Sequence, residues 1–194
     1  MRKVSPKIFV IIVANILILA GVSSYLVLGN DSDQDQPNTT ESSVTDDSTV
    51  ATLAGKSTEY QLLYLIEEEK LAHDVYTIMY QKYGATVFGN ILESESTHQE
   101  RVLTLLQARN IADPRSSEVG VFINQDLQAL YDTLIEQGNK NATEAYKVGV
   151  IIEEKDIADI SIQLATTTDQ DVIAMLESLR SGSENHLRAF NKQL

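Results

Sequence analysis

A glutamate interrupts the apolar face of the first long helix that the sequence predicts, and this feature most limits how the chain can fold. Leu62, Ile66, Ala72 and Tyr76 recur at helical spacing, and Glu69 falls on the same face, where the period requires an apolar residue. Burying an ionised carboxylate without a partner inside a helical bundle is prohibitively costly. Glu69 must therefore face solvent or lie beside a cation.

The other charged residues around Glu69 are expected at the helix surface. Glu67 and Glu68 are interpreted as a solvated face, and His73 is expected to be exposed and without a role. Lys70 offers Glu69 little neutralisation, because adjacent helical residues do not face each other.

Four long runs of helical periodicity predict an all-α domain. The first and second runs are joined tightly, as are the third and fourth, whereas roughly thirty residues that include a short helix separate the second run from the third. One long crossover among otherwise short connections is typical of ferritin-like four-helix bundles rather than of simple up-down bundles. The predicted helices cover about 58–84, 86–110, 124–137, 141–166 and 169–190, and a capping box is expected at the start of the first, at Thr58.

Glu95 and His98 form an E-x-x-H pair in the second run. Positions i and i+3 of a helix share a face, so this carboxylate and this imidazole can ligate one ion together. A surface glutamate and histidine at this spacing also occur by chance, and for the pair taken alone that alternative stays open.

The third and fourth runs add further candidates. Glu153 lies on an apolar stripe from which Glu154 is displaced by about 100°, so Glu153 is the preferred buried residue. Asp156, one turn later, is either a partner of the site or an exposed acid, and His186 is either a packed core residue or a ligand. Three inward carboxylates would repel one another unless a multivalent cation neutralised them. Taken together, five residues therefore indicate a metal site: Glu69, Glu95, His98, Glu153 and His186.

Composition limits the kinds of site and partner that are possible. The chain has 194 residues, enough for one ordinary domain with a hydrophobic core. It contains no cysteine, which excludes disulfides, thiolate nucleophiles, iron–sulfur clusters and thiolate zinc sites. A metal must then be held by carboxylate, imidazole or water. The formal net charge of −13 disfavours nucleic acid as a partner.

Residues 1–29 are predicted to form a membrane anchor. Arg2, Lys3 and Lys7 precede an uncharged run at 8–28, which is just long enough to cross a hydrocarbon layer of ~30 Å. The positive-inside rule then places the rest of the chain on the extracytoplasmic side of the cell membrane. A cleaved signal sequence, with a secreted domain, is the alternative. Residues 30–56 are rich in Asp, Ser and Thr and predict a disordered linker, so the folded domain is assigned to 57–194.

The candidate residues carry a family resemblance. Glu69, Ala72 and Tyr76 resemble the first-helix E-x-x-A-x-x-x-Y pattern of rubrerythrins and bacterioferritins in the ferritin-like di-iron carboxylate superfamily, and Glu95 with His98 resembles the second-helix pair. More closely, EEEKLAHDVY, the segment around IEEKDIADI, and NHLRAF are similar to the prokaryotic ferritin-like family of unknown function numbered 2202, over 57–194. This resemblance implies a ferritin-like fold and no established activity.

One position departs from the superfamily pattern. The fourth helix should carry E-x-x-H, but Ser183 stands three residues before His186. The site then has three carboxylates and two imidazoles, and Ser183 is at most a weak ligand or the holder of a water. A mononuclear or asymmetric site is therefore an alternative to a symmetric di-iron centre.

These observations lead to an expectation for function. The chain is expected to be an exported, membrane-tethered metal-binding protein holding one or two iron ions, or alternatively manganese or zinc. If the site is redox-active, it would react with dioxygen or peroxide in the manner of a ferroxidase, with Tyr76 as a hydrogen-bond donor or simply a core aromatic. The alternative is a non-catalytic helical interaction module that has lost a complete di-metal centre. A homodimer formed through an exposed bundle face is compatible with either.

Overall fold

The structure is a computed structural model that describes Leu53, Gly55 and residues 56–194. The predicted anchor at 1–29 and nearly all of the predicted linker at 30–56 lie outside the described residues. Within the described part, no helix combines the length and the apolar composition needed to cross a membrane.

The described residues form five α-helices and no β-strand, which confirms the all-α prediction. Four of the helices are long, and the short helix α3 lies in the crossover between the second and third long ones, as the periodicity predicts. The helices are α1 (Thr58–Tyr83), α2 (Thr86–Ala108), α3 (Gln125–Gly138), α4 (Ala142–Thr166) and α5 (Gln170–Asn191).

The helix ends follow from local capping chemistry. The Ser57 side chain accepts the backbone N–H of Tyr60, so the first helix is capped one residue earlier than the box expected at Thr58. Gly84 ends α1 with φ of 63°, a left-handed conformation that glycine adopts without a steric penalty. Asn141 caps α4, because its side chain accepts the backbone N–H of Glu144.

The packing of the helices follows from the one long crossover. α1 packs against α2, and α4 packs against α5, because short links join each pair. The two pairs meet through contacts of α1 with α4 and of α2 with α5, and α3 packs on α1 and α4. The long link is therefore what allows the third long helix to lie beside the first.

The charged run at the middle of α1 is buried, so the prediction that Glu67 and Glu68 form a solvated face is wrong. Glu67, Glu68, Glu69 and Lys70 are each no more than 6% exposed. Successive helical residues point about 100° apart, and α1 is contacted by α2, α3 and α4, so no side of this segment is left to solvent.

Each charge of this run has its own partner. Lys155 of α4 lies 2.7 Å from Glu68. Lys70 pairs with Asp74 and donates to the carbonyl oxygen of Glu118 in the crossover. The carboxylate of Glu67 accepts the backbone N–H groups that precede α3, as described next.

Glu67 fastens the crossover to the bundle. Its two carboxylate oxygens accept the backbone N–H groups of Ile123 and Asn124 at 2.7 and 3.0 Å. These donors lie at the N-terminus of α3, where a negative charge also interacts favourably with the helix dipole. A buried carboxylate thereby satisfies two backbone groups that the irregular crossover leaves without a partner.

We expect Glu67→Ala to lower the free energy of unfolding by about 1–3 kcal/mol, because two partly buried backbone hydrogen bonds lose their acceptor. Urea unfolding followed by circular dichroism measures this change. Glu154→Ala is the matched control, since Glu154 is an exposed glutamate within α4. Equal losses in the two variants would contradict the anchoring role of Glu67.

Candidate metal centre

The structure brings all five sequence-predicted residues together in the interior. Glu69 comes from α1, Glu95 and His98 from α2, Glu153 from α4 and His186 from α5, so each long helix contributes. Their side chains are buried, with residue exposures between 2% and 7%. Glu154, by contrast, is exposed, which agrees with the preference for Glu153.

The five side chains form two overlapping groups of three. Glu69, Glu95 and His98 have potential ligand atoms that all lie within 4.8 Å of one another, and so do Glu95, Glu153 and His186. Glu95 belongs to both groups. Its two oxygens divide between them, because Oε2 lies 3.4 Å from His98 and Oε1 lies 2.8 Å from His186.

Both imidazoles present the same ring nitrogen to the carboxylates. His98 Nδ1 lies 3.1 Å from Glu69 Oε2, and His186 Nδ1 lies 3.6 Å from Glu153 Oε2. The two rings stack with their centroids 5.5 Å apart. The arrangement leaves each Nδ1 beside two carboxylates, one of which is always Glu95.

Several ligand-type atoms at this place are buried but have no hydrogen-bond partner. They include Glu69 Oε1, Glu95 Oε1 and His186 Nδ1. The last two atoms are only 2.8 Å apart, yet they do not meet in the direction that a hydrogen bond requires. Buried polar atoms normally have partners, and a bound cation is one kind of partner that could satisfy these oxygen and nitrogen atoms.

Lysine and arginine side chains of the described residues do not neutralise this cluster. In the part of the chain that the structure describes, no lysine or arginine forms an ion pair with any of the three carboxylates. Lys70 and Lys155, the closest in sequence to Glu69 and Glu153, pair with other acids instead.

Two side chains form hydrogen bonds with members of the cluster. The buried Tyr76 donates its hydroxyl to Glu153 Oε1 at 2.6 Å, so it is both a core aromatic and the hydrogen-bond donor considered from the sequence. Ser94 Oγ lies 2.9 Å from His186 Nε2. Gly182 allows α5 to approach His98 of α2 closely, because a Cβ at position 182 would lie only 2.5 Å from His98 Nε2.

Asp156 and Ser183 lie beside the cluster and contact each other. Asp156 is 5% exposed and Ser183 is 1% exposed, and the serine hydroxyl donates to Asp156 Oδ2 at 2.5 Å. Of the two interpretations of Asp156, exposed acid and partner of the site, the structure excludes the first. Burial raises the pKa of Asp156 well above its usual range, and the negative charge of Glu69 adds to this rise.

The pKa values show how the metal-free cluster balances its charge. Burial raises the pKa of Glu69 to about 8 and that of Glu153 to about 7. Burial also tends to raise the pKa of Glu95, but contacts with the imidazoles of His186 and His98 lower it to about 2. Burial tends to lower the pKa of both imidazoles, whereas the neighbouring carboxylates raise the pKa of His98 to about 11 and of His186 to about 9. Protons on the imidazoles and outer carboxyls therefore neutralise the cluster near pH 7.

Comparison with known proteins identifies the family. The family described as an uncharacterized protein domain, DUF2202, matches residues 58–194, which is the whole helical region. The chain belongs to the DUF2202 family. The resemblance inferred from the sequence is thereby confirmed at the level of this family.

One relative of this DUF2202 chain is known both from its sequence and from its structure. The uncharacterized protein MJ0754 of Methanocaldococcus jannaschii is 44% identical over 134 residues, covering 69% of this chain and 72% of that protein. The crystal structure of hypothetical protein MJ0754 from Methanococcus jannaschii matches with a TM-score of 0.70 and 38% identity, over 84% of this chain and 85% of that one. These comparisons support the fold and assign no activity.

Sequence reasoning missed part of this DUF2202 site. It gave Ser94 no role, and no periodic signal distinguishes that serine from other polar residues of α2. Asp156 did carry a signal, because it follows Glu153 at the same i+3 spacing that separates His98 from Glu95. His73 is only partly exposed, with its side chain 33% accessible, and lies beside Asp74 away from the cluster.

We expect the metal-free protein to lose stability as the pH rises from about 5.5 to 8.5. The folded-state pKa of Glu69, about 8, exceeds its ordinary 4.5, so the folded state binds more protons than the unfolded state within this range. The raised imidazole pKa values act in the same direction above their ordinary 6.5, since the stability that they contribute is lost as the pH rises toward 9 and 11. Urea unfolding of chelator-treated protein at several pH values measures the slope.

Glu69→Gln should make this slope shallower, because the amide does not titrate. Glu154→Gln removes an exposed carboxylate from α4, and its stability should change with pH as steeply as that of the wild type. If Glu69→Gln has the wild-type slope as well, the cluster does not hold its protons as described.

Proposed function

We propose that this domain binds a pair of metal ions that share Glu95, as ferritin-like carboxylate proteins do. The observation that carries the proposal is the overlap of two buried three-residue groups at Glu95, with ligand atoms left unpartnered in both. One ion would be held by Glu69 and His98 with Glu95, and the other by Glu153 and His186 with Glu95. Two ions would replace the protons that neutralise the metal-free cluster.

The donor set selects a class of metal. Carboxylates with imidazole and without thiolate suit iron or manganese, with zinc as the alternative. Three buried carboxylates without a lysine or arginine partner favour divalent or trivalent ions, because a monovalent cation would leave most of the negative charge uncompensated. Iron is the preferred ion, since iron is the metal of the superfamily that the sequence resembles.

The chain's own residues would orient the ligands. If His186 binds through Nδ1, the proton is on Nε2, and Ser94 Oγ is in place to accept it. Tyr76 holds one oxygen of Glu153 through its hydroxyl, leaving the other oxygen to face the imidazole. Bound iron or manganese would supply one-electron redox chemistry toward dioxygen or peroxide. The proposed activity is thus a ferroxidase-like oxidation, with Fe(II) as the reductant.

A surface pocket beside the site supports access by small molecules. The pocket has a volume of about 450 Å³, and its lining includes both Ser94 and His98. It is otherwise lined by polar and charged side chains, Asn90, Glu93, Thr97, Arg101 and Ser178. Such a lining suits a hydrated ion or peroxide better than an apolar substrate.

We also propose that the domain acts outside the cytoplasm. The uncharged run at 8–28 after three basic residues supports export, with the domain tethered to the cell membrane on its extracytoplasmic side. Secretion after signal cleavage is the alternative.

A metal titration tests the proposal. Protein stripped with a chelator is titrated with Mn(II), and free Mn(II) is measured by electron paramagnetic resonance. We expect two ions per chain for the wild type and a loss of both for Glu95→Ala, because that residue serves both positions. Glu154→Ala, an exposed glutamate on α4, should bind as the wild type does. Fewer than one ion per chain in the wild type would contradict the metal proposal and favour a non-catalytic interaction module.

A further inference from the structure

Asp156 is a buried acid without a cation. One of its oxygens, Oδ2, accepts the hydroxyl of Ser183, while the other, Oδ1, is buried and has no hydrogen-bond partner. Among the described residues, no lysine, arginine or histidine forms an ion pair with it. A buried carboxylate in this state is strongly unfavourable in a metal-free protein, so its presence calls for an explanation beyond packing.

The positions of Asp156 and Ser183 tie them to the candidate metal ligands. Asp156 follows Glu153 by three residues on α4, and Ser183 precedes His186 by three residues on α5. Residues at this spacing share a helix face, so both face the same interior space as the ligands beside them. The hydrogen bond between them therefore crosses the α4–α5 interface beside the cluster.

The two helix pairs differ in which helix bears the second carboxylate. In the α1–α2 pair, the first helix carries a glutamate with an alanine three residues later, and the second helix carries a glutamate with a histidine three residues later. In the α4–α5 pair, an aspartate takes the place of that alanine and a serine takes the place of the second glutamate. The corresponding positions are Glu69, Ala72, Glu95 and His98 in one pair and Glu153, Asp156, Ser183 and His186 in the other.

We propose that Asp156 supplies, from α4, the carboxylate that position 183 of α5 lacks, and that Ser183 positions it. Each helix pair then contributes two carboxylates and one imidazole, and the four carboxylates balance the charge of two divalent ions. Ser183 holds Oδ2, which leaves Oδ1 as the oxygen available to an ion. This inference rests on the proposed metal function and adds a ligand to it.

The alternative to a ligand is a structural aspartate, and the two roles predict opposite effects on the metal-free protein. Asp156→Asn keeps the size of the side chain and an acceptor for Ser183 but removes the negative charge. If Asp156 is a ligand, the variant should be at least as stable as the wild type without metal, because the cost of either burying or protonating the carboxyl group is gone. It should also gain less stability from metal. If Asp156 is structural, the metal-free variant should be less stable.

The experiment is a Co(II) titration of chelator-stripped full-length protein, followed by the visible absorption of Co(II), with urea unfolding before and after addition. For the wild type we expect two ions per chain. For Asp156→Asn we expect the affinity for one ion to fall at least ~100-fold, and for Ser183→Ala a fall of ~10-fold, as for an outer hydrogen-bond partner. Asp156→Asn combined with Ser183→Glu should restore the second ion, because the carboxylate returns from α5. Glu154→Gln should behave as the wild type.

The outcomes separate this inference from the metal function on which it rests. If the wild type binds no Co(II), the proposed function itself fails. If the wild type binds ions and Asp156→Asn binds them equally well, the role of Asp156 as a ligand is refuted while the metal function stands. Weaker binding together with a less stable metal-free protein, or without rescue by Ser183→Glu, also refutes it, since Asp156 would then act on the fold.

Discussion

A layer of buried charge crosses the middle of the helical domain, and the helices must pack so that it is neutralised. Two apolar clusters make up the core, one containing Tyr76, Phe88 and Phe190 and the other containing Leu62, Leu106 and Leu179. On each long helix the candidate metal-binding positions fall between residues of one cluster and residues of the other. The chain therefore gives up apolar packing at one level of its core in all four helices. Such a layer is tolerated only if cations or protons neutralise it.

The buried charged run in the middle of α1 needs neutralising partners for the same reason. Because α1 is surrounded by α2, α3 and α4, its run of Glu67, Glu68, Glu69 and Lys70 is buried as a whole. Three of the four charges have fixed partners in the crossover or in α4: Glu67 and Lys70 hydrogen-bond to the backbone of the crossover, and Glu68 pairs with Lys155 of α4. Only Glu69 faces the candidate ligands on the other helices. The charged residues next to it in α1 bind the crossover and α4 instead. Fold and site are in this sense built from the same segment.

Much of this arrangement could be predicted from the sequence, and the failures have physical causes. The polar residue on an apolar stripe identified Glu69 and Glu153, and the i+3 pair identified Glu95 and His98, because both signals depend on periodicity within one helix. The interpretation of Glu67 and Glu68 as a solvated face was wrong. Glu67 binds the backbone of the crossover and Glu68 pairs with Lys155 of α4, and the periodicity of α1 alone cannot reveal partners on other elements. The contact between Asp156 and Ser183 was missed for the same reason, as it joins two helices.

If two metal ions share Glu95, anomalous diffraction should locate both of them. Crystals grown with Mn(II) would be measured on both sides of the manganese absorption edge. We expect two anomalous peaks inside the bundle, one among Glu69, Glu95 and His98 and the other among Glu95, Glu153 and His186. Crystals in which the same carboxylates and imidazoles are ordered but bear no interior peak, with manganese bound only at the protein surface, would contradict it.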